Sequence, residues 1–305
     1  MTNRMKAVYT SDLHGEIPLY QELLALADSF MAEIVAIGGD LLPSFPPTKR
    51  YEDMVPNQKV FIGRFLLPFF ERTIRTTTVR QIFLIPGNWD LGYFYLFRNP
   101  MEGLIDICQK HYRLKNGYEM IGYPFVPPTP FRPKDFEKMD DPESPWPPQK
   151  NPSYIRSSDQ TDLIIPIDPH IYLRQRETIQ EDLDHLPSPK DPKKTIYLMH
   201  SPPFKTKLDR IIGGRFTGSR SIRRFIEKTQ PLLTLHGHIH EAPEISGSCL
   251  DRIGKTLCVN PGQFTLSGKS SSRLHAITFE LENPGATLQH TLLPEVKSSD
   301  LRVMS

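Results

Sequence analysis

With 305 residues, 38% of them hydrophobic and 24% charged, the chain has the make-up of a globular protein able to bury a sizeable core. Lys and Arg number 37 against 35 Asp and Glu, and a net charge of +2 excludes a surface built throughout for a polyanion. Three cysteines (Cys108, Cys249, Cys258) without C-x-x-C spacing exclude a disulfide scaffold, and no apolar run approaches the roughly 18 residues of a spanning helix.

Met1 to Lys6 lead straight into a strand-like run, Ala7-Val8-Tyr9-Thr10, with no apolar signal core before it, so the default location is the cytoplasm and no membrane contact is expected. Pro18 suits the first turn of a helix in which Tyr20, Leu23, Leu24, Ala27 and Met31 share one face. Residues 34–37 and 82–85 read as the second and third strands. Between them, residues 58–72 carry a helical pattern interrupted by Gly63 and Pro68. Met101, Leu104, Ile105 and Cys108 predict a further helix. This alternation predicts an α/β protein, with helices layered on a mixed or parallel sheet.

From Pro124 to Thr195 the texture changes, and half of the 30 prolines fall in that stretch. Such segments form neither helix nor central strand. Phe125, Phe131, Phe136, Trp146, Tyr154 and Tyr172 are nevertheless more aromatics than a solvated spacer needs. An ordered insertion that wraps over the body is predicted, ending in a helix near 173–184. Strands then follow at 196–199, 232–235, 256–259 and 273–280, with a helix at about 219–228. The whole reads as one domain over residues 1–295, with an insertion at about 124–195 and a flexible tail at 296–305.

The chemistry gathers where the apolar runs stop. Five strands read as consecutive end in Ser11-Asp12-Leu13-His14-Gly15, Gly38-Gly39-Asp40, Pro86-Gly87-Asn88-Trp89-Asp90, His200, and His236-Gly237-His238-Ile239-His240. Ligands of open α/β sheets bind outside the carboxyl ends of the strands, so these groups would meet in one place. Carboxylate, amide oxygen and imidazole without thiolate suit Mn, Fe, Co, Ni or Zn rather than an all-oxygen Ca or Mg cage. The pairs Asp12/His14 and His238/His240 would each set two side chains on one side of an extended segment. There is no H-x-H-x-D-H run and no P-loop.

The order D-x-H, G-D, G-N-x-D, H, G-H-x-H resembles that of the calcineurin-like metallophosphoesterases, over about residues 5–285 apart from the insertion. The resemblance implies a four-layer α/β/β/α sandwich of two mixed sheets flanked by helices, with metals at the strand ends. It implies that Asp12, His14, Asp40 and His240 hold one ion, and Asp40, Asn88, His200 and His238 a second, Asp40 bridging. It also implies a phosphatase or phosphodiesterase in which a hydroxide between two divalent transition-metal ions, Mn first, attacks a phosphorylated small molecule or nucleotide. Asn260-Pro261-Gly262 is similar to the family's late loop beside the site.

One position departs from the pattern. The family has histidine after the motif asparagine, as transition-state stabiliser or proton donor supported by the acid that follows; here Trp89 precedes Asp90. An indole N–H donates a hydrogen bond but gives up no proton at useful pH. Losing a general acid typically costs about 10²–10⁴-fold, most for alkoxide and least for phenolate or phosphate leaving groups. Three readings follow: another acid, with His170 and His185 of the insertion as candidates; a good leaving group; or a metal- and phosphate-binding scaffold that turns nothing over and uses its insertion to bind a partner. Every ligand position matches the pattern, which favours a hydrolase with Asp40, Asn88, Trp89 and Asp90 as its catalytic set.

Basic residues crowd segment 204–228, where Gly218-Ser219-Arg220 opens a helix whose N-terminus favours anions, making Arg220 the candidate for substrate phosphate. The other basic residues there read as a solvated face, and a nucleic-acid substrate is disfavoured. His236 reads as a packing residue, and His111, His275 and His290 have no motif context. Tyr123 and the insertion aromatics read as pins to the body before they read as a nucleobase platform.

Overall fold

The computed structural model describes residues 4–144, 146–158, 161–263 and 273–292, and the tail expected at 296–305 lies outside them. Strands β1 (Lys6–Thr10), β2 (Ile34–Ile37), β3 (Gln81–Leu84) and β4 (Leu104–Asp106) pair in parallel. The chain next lays down β5 (His111–Arg113) and β6 (Glu119–Tyr123), then a separate hairpin of β7 (Ser153–Arg156) and β8 (Ile164–Ile167). Strands β9 (Thr195–Met199), β10 (Leu233–Leu235), β11 (Leu250–Ile253) and β12 (Thr256–Val259) join β5 and β6, while β13 (Ile277–Glu280) and β14 (Gln289–His290) return beside β1. Two mixed six-stranded sheets result, in the orders β14-β13-β1-β2-β3-β4 and β11-β12-β10-β9-β6-β5.

The central strands read as unbroken apolar runs because both of their faces are covered. Ala7, Tyr9, Ile34, Ala36 and Phe83 of the first sheet meet Ile196, Leu198, Leu233, Leu235 and Leu257 of the second in a core between the sheets. The alternate residues Val8, Val35, Ile37, Ile82 and Leu84 face outward onto α1 (Ile17–Phe30), α2 (Met54–Phe61) and α3 (Leu67–Thr76). On the far side Tyr123, Tyr197 and Met199 pack with Ile179 and Leu183, and with Ile222 and Ile226. Those four belong to α5 (Ile179–His185), which follows α4 (Pro169–Arg174), and to α6 (Arg220–Thr229). This is the four-layer α/β/β/α sandwich that the resemblance implied.

Three local expectations differ. The helix read at 101–108 is strand β4, because Gly103 offers its carbonyl to Ile82 N at 2.7 Å and starts an edge strand there. The helix read at 58–72 runs from Met54 to Thr76 across a π-helical turn, Ile62–Leu66. Pro68 follows directly on that π-helical turn, where the wider ladder accommodates a residue without an N–H, and Gly63 faces open space. The single helix read near 173–184 is split, because Thr178 and Glu181 form a capping box that starts α5 anew.

The proline-rich stretch is tied down by buried charge. Lys134 Nζ lies 2.8 Å from Glu137 Oε2, with both side chains fully buried. Lys138 reaches Asp182 at 2.6 Å, and Tyr123 donates to the same carboxylate at 2.8 Å. Phe125 and Phe136 enter the outer core. Tyr123 and these two rings are thus pins, not a base-stacking platform.

Candidate metal centre

The loops after β1, β2, β3, β9 and β10 converge on one site. These strands are neither consecutive nor in one sheet, because β4 to β8 intervene and β9 and β10 belong to the second sheet. Nor are the paired ligands on extended segments. Asp12, His14, Asp40 and His238 have φ of 59°, 45°, 50° and 67°, the left-handed region that L-residues avoid at roughly 1–2 kcal/mol each. Tight turns, not strand alternation, aim these side chains. A Cβ on Gly87 would stand 2.3 Å from Asp40 Oδ1, and one on Gly237 2.0 Å from Ser11 Oγ, so the loops approach this closely only through glycine.

Asp12, His14, Asp40 and His240 offer ligand atoms that all lie within 4.8 Å of one another. His14 Nε2 and His240 Nε2 are 3.2 Å apart, and His240 Nε2 is 3.3 Å from Asp12 Oδ1. Asp40 Oδ2 stands 3.8 Å from His14 Nε2 and 3.5 Å from His200 Nε2, so one carboxylate faces both halves of the site. The His238 ring meets the His200 ring with centroids 5.2 Å apart. Asn88 is buried with neither side-chain polar atom hydrogen-bonded, which a native structure tolerates only where some partner is to be supplied. Second contacts orient the rings: Gly38 O meets His200 Nδ1 at 2.7 Å, and Ser44 Oγ holds His14 Nδ1.

The donor set fits a metal electrostatically as well. Burial works to raise the carboxyls of Asp12 and Asp40, but the imidazoles of His240 and His200 outweigh it and hold both below the usual range. Burial works to lower His200, yet Asp40 and its neighbours raise it to about 9, and His240 is raised beside Asp12. Raised imidazoles thus face depressed carboxylates in the same buried site, and a divalent ion that displaced the imidazole protons would take over their charge.

Chelated protein is expected to be most stable near about pH 6.5. Burial holds His14 at about 4 and His238 at about 3, so the unfolded chain takes up their protons first and stability falls as the pH drops below 6.5. His200 at about 9 and Asp90, raised by burial and Asp40 to about 8, keep protons that the unfolded chain has already released. Their contribution is therefore lost as the pH rises toward those values. Thermal unfolding in chelator from pH 5 to 10 checks this, and a transition temperature still climbing at pH 9 is the contrary result.

The remaining expected site residues take other places. Asp90 is fully buried and accepts from Gly87 N (2.9 Å), Leu41 N (3.2 Å) and Leu42 N (2.8 Å), which joins the loops after β2 and β3. Trp89 donates its backbone N–H to Asp40 Oδ1 at 2.8 Å, while its ring lines a cleft of about 610 Å³ with Asp12, His14 and His240. Arg220 does not line this cleft. Its guanidinium lies 4.0 Å from the Phe204 ring, and the helix N-terminus expected to bind phosphate is filled by Asp140, which accepts from Arg220 N at 2.7 Å and Ser221 N at 3.3 Å. His170 packs on Trp146, and neither it nor His185 lines the cleft.

His236 uses both ring nitrogens on Ser201 O and Thr234 Oγ1, as befits a packing residue. Asn260 spans to the carbonyls of Leu208, Gly237 and Ile239 and so braces the His238 turn. Sequence reasoning missed Ser44, Phe45 and Gln263, all lining the cleft. The position of Ser44 four residues past Asp40 was the only available signal for it.

Among the described residues no helix is long and apolar enough to cross a membrane. No curated protein matches the chain. One crystal structure superposes with a TM-score of 0.58, 15% identical over 95% of this chain and all of its own. The protein TT1561 of Thermus thermophilus does so at 0.52, 15% identical over 96% of this chain and 100% of its own. A dimetal phosphatase from Danio rerio is 9% identical over 90% of this chain and 92% of its own, at a TM-score of 0.46. At such identities the first two are likenesses of fold. A model of the calcineurin-like phosphoesterases matches residues 5–242, from the strand before Asp12 to just past His240. On that match the chain belongs to the calcineurin-like phosphoesterase family, metal-dependent hydrolases of phosphoric esters.

Proposed function

We propose that the protein binds two divalent transition-metal ions, Mn²⁺ ahead of Fe, Zn, Co or Ni, and hydrolyses esters of phosphorylated small molecules or nucleotides. The donor sets are Asp12, His14, Asp40 and His240 for one ion, and Asp40, Asn88, His200 and His238 for the other. The observation that carries this reading is the convergence of Asp12, His14, Asp40 and His240 within 4.8 Å. When bound, the ions would activate water for attack at neutral pH and would supply positive charge for the phosphate oxygens. The chain's own part is positional: Ser44 fixes His14, Gly38 fixes His200, and the Asp12 carboxylate takes His238 N at 3.0 Å. Its three free cysteines suit a reducing, cytoplasmic compartment. Residues 1–295 act as one domain in this reading, with the 124–195 insertion walling the cleft through Phe131.

Trp89 has no proton to give, so phenolate leaving groups are favoured over alkoxides. Trp89 is also the one observation that favours the scaffold reading. Hydrolysis of an aryl phosphomonoester and an aryl phosphodiester with Mn²⁺ separates the two. Metal-dependent turnover supports the hydrolase, and none with Mn²⁺ demonstrably bound supports the scaffold. Trp89→His is expected to raise turnover of alkyl phosphoesters by about 10- to 100-fold through a restored proton donor. An unchanged alkyl rate in a folded variant counts against the leaving-group argument.

A further inference from the structure

We propose that Phe45, Trp89 and Phe131 form a clamp for the ring of an aryl phosphoester, which makes the substrate an ester of a phenol; this rests on the cleft being the phosphoesterase site. The Trp89 ring centroid lies 4.9 Å from that of Phe45 and 5.3 Å from that of Phe131, with interplanar angles of 55° and 53°. The three residues come from the loops after β2 and β3 and from the insertion, so no common element explains their meeting. Trp89 is only 6% exposed, while Phe45 is 60% and Phe131 41% exposed. The indole is thus a floor and the two phenyl rings are walls that the core does not use.

All three rings line the same cleft as Asp12, His14 and His240, so the apolar patch abuts the groups that would hold a phosphate's ions. Exposed aromatics gathered beside a polar site mark a place for a ligand. Rings at this spacing already touch the indole, so an incoming planar ring would lie over it against the exposed faces of Phe45 and Phe131, and stacking tolerates any ring with a π-face. The chemistry agrees with the shape. A phenol ionises near about pH 10 and leaves without a proton, whereas an alkoxide needs one that Trp89 cannot give. The residue that removes the acid supplies the stacking face.

The test is equilibrium binding of phenylphosphonate against methylphosphonate to Zn²⁺-loaded protein, by calorimetry and by indole emission. The chain has 2 tryptophans, so Trp146→Phe leaves Trp89 as the reporter. Phenylphosphonate is expected to bind more tightly than methylphosphonate and to change Trp89 emission saturably. Phe131→Ala and Phe45→Ala, at exposed positions, should each weaken it about 5- to 30-fold and leave methylphosphonate within about twofold. Equal affinities for the two phosphonates overturn the clamp, as does a phenyl preference that survives both alanine substitutions. Neither readout needs turnover: a failed clamp leaves the hydrolase to its own assay, and failed hydrolysis leaves the aryl preference standing.

Discussion

Asp40→Asn lowers kcat/KM for an aryl phosphoester by at least about 10³-fold, the largest effect expected of a single change here. Its carboxylate is 1% exposed and faces His14 at 3.8 Å and His200 at 3.5 Å, so it serves both halves of the site. Ions that neutralise a transferring phosphoryl group contribute several kcal/mol, and each 1.36 kcal/mol is tenfold in rate. Asparagine keeps the shape and can still accept from Trp89 N, a bond of 2.8 Å in the parent, so the loops stay folded while the shared charge is gone. Metal analysis of the purified variant should find fewer than two ions per chain, and steady-state rates should fall in parallel. A variant within tenfold of the parent rate would remove Asp40 from the centre of the mechanism.

The second large effect is on stability. Lys134→Met should cost about 3–5 kcal/mol, because it strands Glu137 in a site with no access to water. Glu137 then keeps only Thr129, which donates its backbone N–H at 2.9 Å and its hydroxyl at 2.5 Å. Burial already pushes the Glu137 carboxyl up to about 7 with Lys134 in place. Replacing both members, as Lys134→Met with Glu137→Leu, should recover much of the loss, since paired removal leaves no lone charge. Urea unfolding of the single and double variants checks this. A single variant within about 1 kcal/mol of the parent would mean that water reaches the pair. The pair also bears on the cleft, because Thr129 Oγ1 accepts from Phe131 N at 3.1 Å. Loosening Lys134 should therefore loosen the clamp wall.

The sequence carried the donor set because the chemistry dictates residue type, and glycines beside strand ends mark where chain segments can meet. That logic gathers the strand-end groups in one place, while the grouping of Asp12, His14, Asp40 and His240, which lie within 4.8 Å of one another, came from the family resemblance. The central strands were legible for a related reason, as apolar runs with both faces covered. What stayed hidden is set by partners distant in sequence. Strand order does not say that β9 and β10 lie in a different sheet from β1 to β3. Three-residue edge strands such as β4 and β5, and the equally short β10, show no period, and β4 mimicked a helical stripe. Arg220 was a sound reading of a helix N-terminus, overturned by Asp140 lying 80 residues earlier in the chain. Phe131 was read with the pinning aromatics because nothing local tells a wall of the cleft from a pin.

The site straddles a seam, with Asp12, His14 and Asp40 borne by one sheet and His200, His238 and His240 by the other. An ion held there is a rivet across the core between the sheets, and its affinity becomes part of the cohesion of the whole sandwich. Each tenfold of free metal above the dissociation constant adds about 1.4 kcal/mol to unfolding. That increment should protect amides of β1 and β10 from hydrogen exchange alike, because neither sheet can open fully without releasing the ion.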